Sequence, residues 1–176
     1  MALLLVAGSI GLAACAGNPN TGSIQSTVPT PTETQEEPVK AELTWQAAKA
    51  QTQAMELEIA GLIPKDKVAS VFQKETGVLL SCNKTDHNWN GWIDIALTAD
   101  ANVVEVIKSL ELHYSGGSFE VTTRKGIDGD YQVHLLGTAP GEGYLIGRGL
   151  TPNVIRIDSG SPCFTLPEGI YPGGDF

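Results

Sequence analysis

Basic residues are scarce in this chain. Lysine and arginine total 11 against 20 aspartates and glutamates, for a formal net charge of −9. That balance argues against a phosphate-binding surface, and so against a nucleic-acid partner; it also removes any electrostatic hold on anionic lipid headgroups. Aromatics make up only 6% of the residues, so most of them are expected in the core. The three histidines, His87, His113 and His134, form neither an i, i+4 pair nor an HExxH motif and read as surface residues. The cysteines show no CxxC spacing, which argues against a zinc site or a catalytic thiol. No GxSxG, GxGxxG or P-loop is present. Ser159-Gly160-Ser161-Pro162 is ordinary loop chemistry, and Gly141-Glu142-Gly143 and Gly147-Arg148-Gly149 read as hairpin ends. No cofactor is implied.

An uncharged apolar run from Ala2 closes on Leu12-Ala13-Ala14-Cys15. Such a run is too short to span a bilayer and suits a signal-peptide h-region, with small residues placed for a signal peptidase. The four residues resemble a lipobox, the cleavage motif of bacterial lipoproteins. The resemblance implies a signal peptide over residues 1–14 and lipidation of Cys15, the new N-terminus, with acyl chains such as palmitate. The protein would then sit on the extracytoplasmic face of the cell membrane, held by two or three chains at ~0.8 kcal/mol per buried methylene. The first basic residue is Lys40, a departure from the usual signal-peptide opening that fits a sequence begun downstream of its natural start.

With Cys15 assigned to lipid, Cys82 and Cys163 remain as an even pair in an oxidising setting and are expected to be bonded. Residues 15–40 are rich in Thr, Pro, Gln, Glu, Gly and Ser, with Val28-Pro29-Thr30-Pro31-Thr32 at their centre. They read as a tether with too little apolar surface to fold.

The domain expected over 41–165 opens with a helix on the stripe Leu43, Ala47, Ala50, Ala54 and Leu57, widened by Trp45, Ala48, Met55 and Ile59 and stopped by Gly61 and Pro64. Strands are expected at 68–72, 78–82 and 92–97, although Pro64-Lys65-Asp66-Lys67 could equally open a helical turn. A second helix is expected from an Asp100 cap, with Val103, Val104, Ile107, Leu110 and Leu112 apolar. Beyond it the chain reads as strand after strand. A three-residue Ile127-Asp128-Gly129 loop, with Gly129 left-handed, sorts Val121 against Leu135 and Thr123 against Val133. A turn through Gly149-Leu150-Thr151-Pro152 would set Ile146 against Ile155 and Tyr144 against Ile157, with Arg156 pointing outward. The sum is an α+β two-layer sandwich, an antiparallel sheet of five to seven strands with two helices on one face. Residues 166–176 read as an extended tail held near its start by the disulfide. In layout the chain resembles the LppA-like small lipoproteins of actinobacteria, a resemblance that implies no activity.

The segment from Asp86 to Asp94 resembles the first nine positions of an EF-hand loop, with Asp86, Asn88, Asn90 and Asp94 as candidate metal ligands and Gly91 at the sharp turn. Leu97 stands where that family places its bidentate glutamate, and the flanks read as strands. A hairpin turning at Asn90-Gly91 is the favoured reading. Trp89 and Trp92 are candidate binding residues, one of them at most being exposed. The leading expectation is a lipid-anchored, non-enzymatic module that binds a protein or a cell-envelope glycan. The rivals are an enzyme with a site assembled from Asp86, His87 and Asp94, and a weak calcium binder.

Overall fold

The computed structural model describes residues 42–176. The expected signal peptide, Cys15 and the Thr/Pro tether lie outside the described residues. Within them the chain is α+β: two helices and one open antiparallel sheet of eight strands. Helix α1 (Trp45–Gly61) starts where the Thr44 hydroxyl accepts a hydrogen bond from the Ala47 amide, a normal N-cap. Its buried face is Ala48, Thr52, Glu56, Ile59 and Ala60. Of the expected stripe, Ala50, Ala54 and Leu57 are exposed on the far side of the helix, while Ala48 and Ile59 are buried and Trp45 and Met55 partly so; the remaining inward positions, Thr52 and Glu56, are polar. Helix α2 (Val103–Tyr114) is capped by Asn102, whose side-chain Oδ1 accepts from the amides of Val104 and Glu105. The expected cap, Asp100, instead pairs with Lys67 at 2.6 Å, and Leu112 is 75% exposed.

The spine of the sheet is β3 (Asp86–Leu97), which runs straight through Asn90-Gly91. The hairpin expected there does not form. Along one edge of β3 lie β1 (Val68–Gln73) and β2 (Val78–Ser81), end to end. Along the other lie β7 (Val154–Gly160) and the two-residue β8 (Phe164–Thr165), an eighth strand beyond the expected maximum. The order then continues through β6 (Gly143–Arg148), β5 (Tyr131–Leu136) and β4 (Glu120–Lys125). A single 3-10 turn, Lys65–Lys67, precedes β1, so the helical turn and the strand read there both occur.

The β4–β5 register is as read, Val121 opposite Leu135 and Thr123 opposite Val133, with Gly129 at φ +80°. The β6–β7 register differs: Ile146 faces Ile157 and Tyr144 faces Ser159. Asn153 takes a left-handed conformation (φ 58°) and belongs to the turn, and Gly149 pairs with Val154. A slip of two keeps every side chain on its face, so the inward and outward assignments, Arg156 among them, hold.

The main core joins both helices to one sheet face through Ile59, Ile107, Leu110, Ile93, Ile95, Val133, Leu135, Ile146, Ile155 and Ile157. A second cluster gathers Ala48, Leu79, Trp89 and Phe164, with Trp45 and Phe176 packed against it. Cys82 and Cys163 are bonded, tying the end of β2 to the segment before β8 with Cα atoms 6.4 Å apart. Residues 166–176 have no regular structure, yet their end is held. The Phe176 backbone exchanges two hydrogen bonds with Gly77, its carbonyl accepts from the Trp89 indole at 3.2 Å, and its ring meets Trp45 edge-on.

Candidate functional site on the open sheet face

Strand alternation sends Ile93, Ile95, Ile155 and Ile157 inward, so Trp92, Asp94, Arg156 and Asp158 stand on the opposite face. That face carries no helix among the described residues. Across it the register aligns Trp92 with Asp158, Asp158 with Leu145, and Leu145 with His134. One row on, Asn90 pairs with Gly160, Gly160 with Gly143, and Gly143 with Leu136. Two adjacent glycines therefore interrupt the carpet of side chains.

A depression of about 290 Å³ opens over them, lined by Asn90, His134, Leu136, Glu142, Leu145 and Asp158. A neighbouring hollow of about 380 Å³ shares Asn90 and Asp158 and reaches Trp92 and Lys74. The glycines are required for this relief. A Cβ on Gly160 would lie 3.0 Å from the Asn88 amide nitrogen and 2.9 Å from the Gly141 carbonyl, and one on Gly143 would lie 3.1 Å from His134 Nε2.

The rim is organised. Asn88 donates to the Gly141 carbonyl, and Asn90 donates to the Asn88 side chain at 3.0 Å, while the Asn90 side-chain oxygen meets no donor among the described residues. Burial pushes the Asp158 carboxyl up, Arg156 pulls it back, and Asp94 adds a smaller push. His134 is pushed down, by burial first and by the charge of Arg124 second. Beside the hollow, Arg156 forms a two-pronged pair with Asp94, both contacts at 2.7 Å, and its guanidinium lies 4.1 Å from the Trp92 ring centroid.

The candidate residues read from the sequence are distributed unevenly. Trp92 is half-buried at the margin of the hollow, while Trp89 is fully buried on the helix side, over Gly77 and Gly91. Asp86, Asn88, Asn90 and Asp94 do share one face, but an extended strand rises ~3.3 Å per residue and so spreads them over ~26 Å. One ion cannot collect them, and among the described residues no group of three or more His, Cys, Asp or Glu is placed to hold a metal. The same extension separates Asp86 and His87 from Asp94. Asp86 is engaged by Asn83 and Thr165, and Asp94 by Arg156.

Beneath the floor lies a group that the sequence reading missed. Glu56 is fully buried; its carboxylate accepts from the Ser159 hydroxyl and from Gln73 Nε2, the latter at 2.6 Å. Its carboxyl is pushed up, by burial first and by the nearby Asp158 charge, against the pull of those two bonds. The only sequence signal was a glutamate in step with Ala48, Thr52 and Ile59.

The chain matches no protein-family model, no curated protein and no solved structure. What it can bind therefore rests on the chemistry of this face. Among the described residues no helix is long and apolar enough to cross a membrane.

Proposed function

We propose that this chain is a non-enzymatic binding module, lipid-anchored through Cys15 at the extracytoplasmic face of the membrane, whose open sheet face takes a neutral cell-envelope glycan. The glycine-floored depression is the observation that carries this reading. Its rim is rich in acceptors, namely Asp158, Glu142 and the Asn90 carbonyl, and sugar hydroxyls are the matching donors. Leu136, Leu145 and the edge of Trp92 offer apolar surface for the C–H faces of a pyranose ring. The net charge of −9 disfavours phosphorylated or carboxylated polymers.

A titration of the full chain with solubilised neutral envelope oligosaccharide, followed by amide chemical shifts, tests the proposal. Shifts are expected at Asn90, Leu145, Asp158 and Gly160, and Asp158→Ala should weaken binding at least tenfold. Silence at these residues up to millimolar glycan, with crosslinking in cells recovering a protein on the same face, would replace the glycan with a protein partner.

A further inference from the structure

The two free edges of the sheet are treated differently by the sequence. The β4 edge, Glu120-Val121-Thr122-Thr123-Arg124-Lys125, carries three charged side chains, the usual protection against edge-to-edge pairing. The β1 edge, Val68-Ala69-Ser70-Val71-Phe72-Gln73, carries none, and neither proline nor glycine. A bulge between Val68 and Ser70 disturbs only its start, leaving Ser70–Gln73 in regular register with β3.

The backbone just beyond β1 is satisfied within the molecule. The Gln53 side chain donates to the carbonyls of Lys74 and Glu75, and Phe176 pairs with Gly77. The Val68 amide donates to the Lys65 carbonyl, but among the described residues the outward backbone groups of Ala69–Gln73 find no such cover. Apolar side chains accompany them. Phe72 is 61% exposed and Val71 44%, and Val71 lines a groove of about 350 Å³ with Leu57, Ala60, Ile63 and Val68.

We infer that β1 is an interaction surface and that its partner is a second copy of this chain, paired antiparallel about a two-fold axis at Val71. An antiparallel pair of identical strands is self-complementary, as a two-fold interface requires. With Val71 opposite Val71, the two apolar grooves meet on the helix side. On the open face each Phe72 falls opposite the small Ser70 of the other copy, which leaves room for the ring. Beyond the regular strand the same axis sets the end of one copy that carries Glu75 against the end of the other that carries Lys67, whose ammonium Asp100 also holds. No charged side chain within the strand opposes association.

Sedimentation of the full chain in detergent micelles, over a hundredfold concentration range, tests this. A reversible monomer–dimer equilibrium is expected. Val71→Lys should raise its dissociation constant at least tenfold, and Thr123→Lys on β4 should leave it unchanged. Cysteine crosslinking fixes the register independently of any folding defect in the lysine variant: Val71→Cys should crosslink to itself, and Ser70→Cys should crosslink to Phe72→Cys in a mixture but not to itself. A chain that stays monomeric throughout, a dimer indifferent to Val71→Lys, or self-crosslinking of the Phe72→Cys variant in place of Val71→Cys each overturns the inference.

Discussion

Replacing Gly91 with alanine separates the strand from the turn at Asn90-Gly91. In a two-residue hairpin the glycine would serve the backbone, through a positive φ. Gly91 has none, and it sits in mid-strand opposite Ser159. Its role is to make room. A Cβ there would lie 2.7 Å from Trp89 Cζ3 and closer still to Cη2. The ring cannot slide away, because Gly77 lies against its Cε2 and Cζ2 with room for no Cβ either, and the indole N–H is held by the Phe176 carbonyl.

Overpacking a fixed site costs ~1–3 kcal/mol, and partial expulsion of a fully buried indole approaches the ~3–5 kcal/mol of deleting it, so we expect about 3 kcal/mol for Gly91→Ala. Trp89→Leu removes the obstacle. In that background the alanine should cost under ~1 kcal/mol, a coupling of about 2 kcal/mol, large for a contacting pair. Urea unfolding followed by far-ultraviolet circular dichroism, with equal m-values across the four proteins, measures the cycle. A Gly91→Ala cost that is the same in the wild type and in the Trp89→Leu background would refute the packing argument and restore the backbone one.

Three further outcomes follow from the interior. Glu56 has a raised carboxyl pKa in the folded protein, so its stabilising share is complete below the ordinary glutamate range and is lost as pH rises through the folded value. Unfolding free energy of the wild type minus that of Glu56→Gln should therefore fall between pH 4 and pH 8, and a flat difference would mean the carboxyl titrates normally. Removing the Cys82–Cys163 bridge by a double serine substitution frees a loop of sequence separation 81. Chain entropy puts the loss at ~4.5 kcal/mol, or ~16 °C in Tm for the described residues; a drop under ~5 °C would show that the loop is already constrained in the unfolded chain. Phe176→Ala should cost about 1–2 kcal/mol and shift tryptophan emission to the red, since its ring covers Trp45; unchanged emission and melting would mean the end of the chain contributes nothing to the second core cluster.

The strands were legible because alternation is a strong signal: Val133 and Leu135, Ile155 and Ile157, Ile93 and Ile95 all point inward as their period demands. The β4–β5 register was legible through Gly129, whose left-handed turn fixes the loop length. Its neighbour slipped by two because Asn153, a residue that tolerates the left-handed region, looked like the start of a strand. The stripe read for α1 spans both sides of the helix, Ala48 and Ile59 inside but Ala50, Ala54 and Leu57 outside, because burial there also follows Thr52 and Glu56, which no hydropathy pattern marks as interior. Asn90-Gly91 misled for a related reason. A glycine beside an asparagine carries the same letters whether it turns the chain or seats an indole, and only the long-range partner, Ser159, tells the two apart. The depression depends on Gly143 meeting Gly160 across two strands, a pairing invisible until the register is known.

The long central strand also dictates a timetable. On one side β3 pairs with segments made just before it, but on the other its partners are Val154–Gly160 and Phe164–Thr165. At ~5–20 residues per second, the ~60 intervening residues take roughly 3–12 s to synthesise. Through that interval one edge of β3 lacks its partner strands, and Cys82 lacks the cysteine to which it is bonded. Pairing across such a separation is slow in itself. The strand order thus makes closure of the sheet a late event that waits on almost the whole domain.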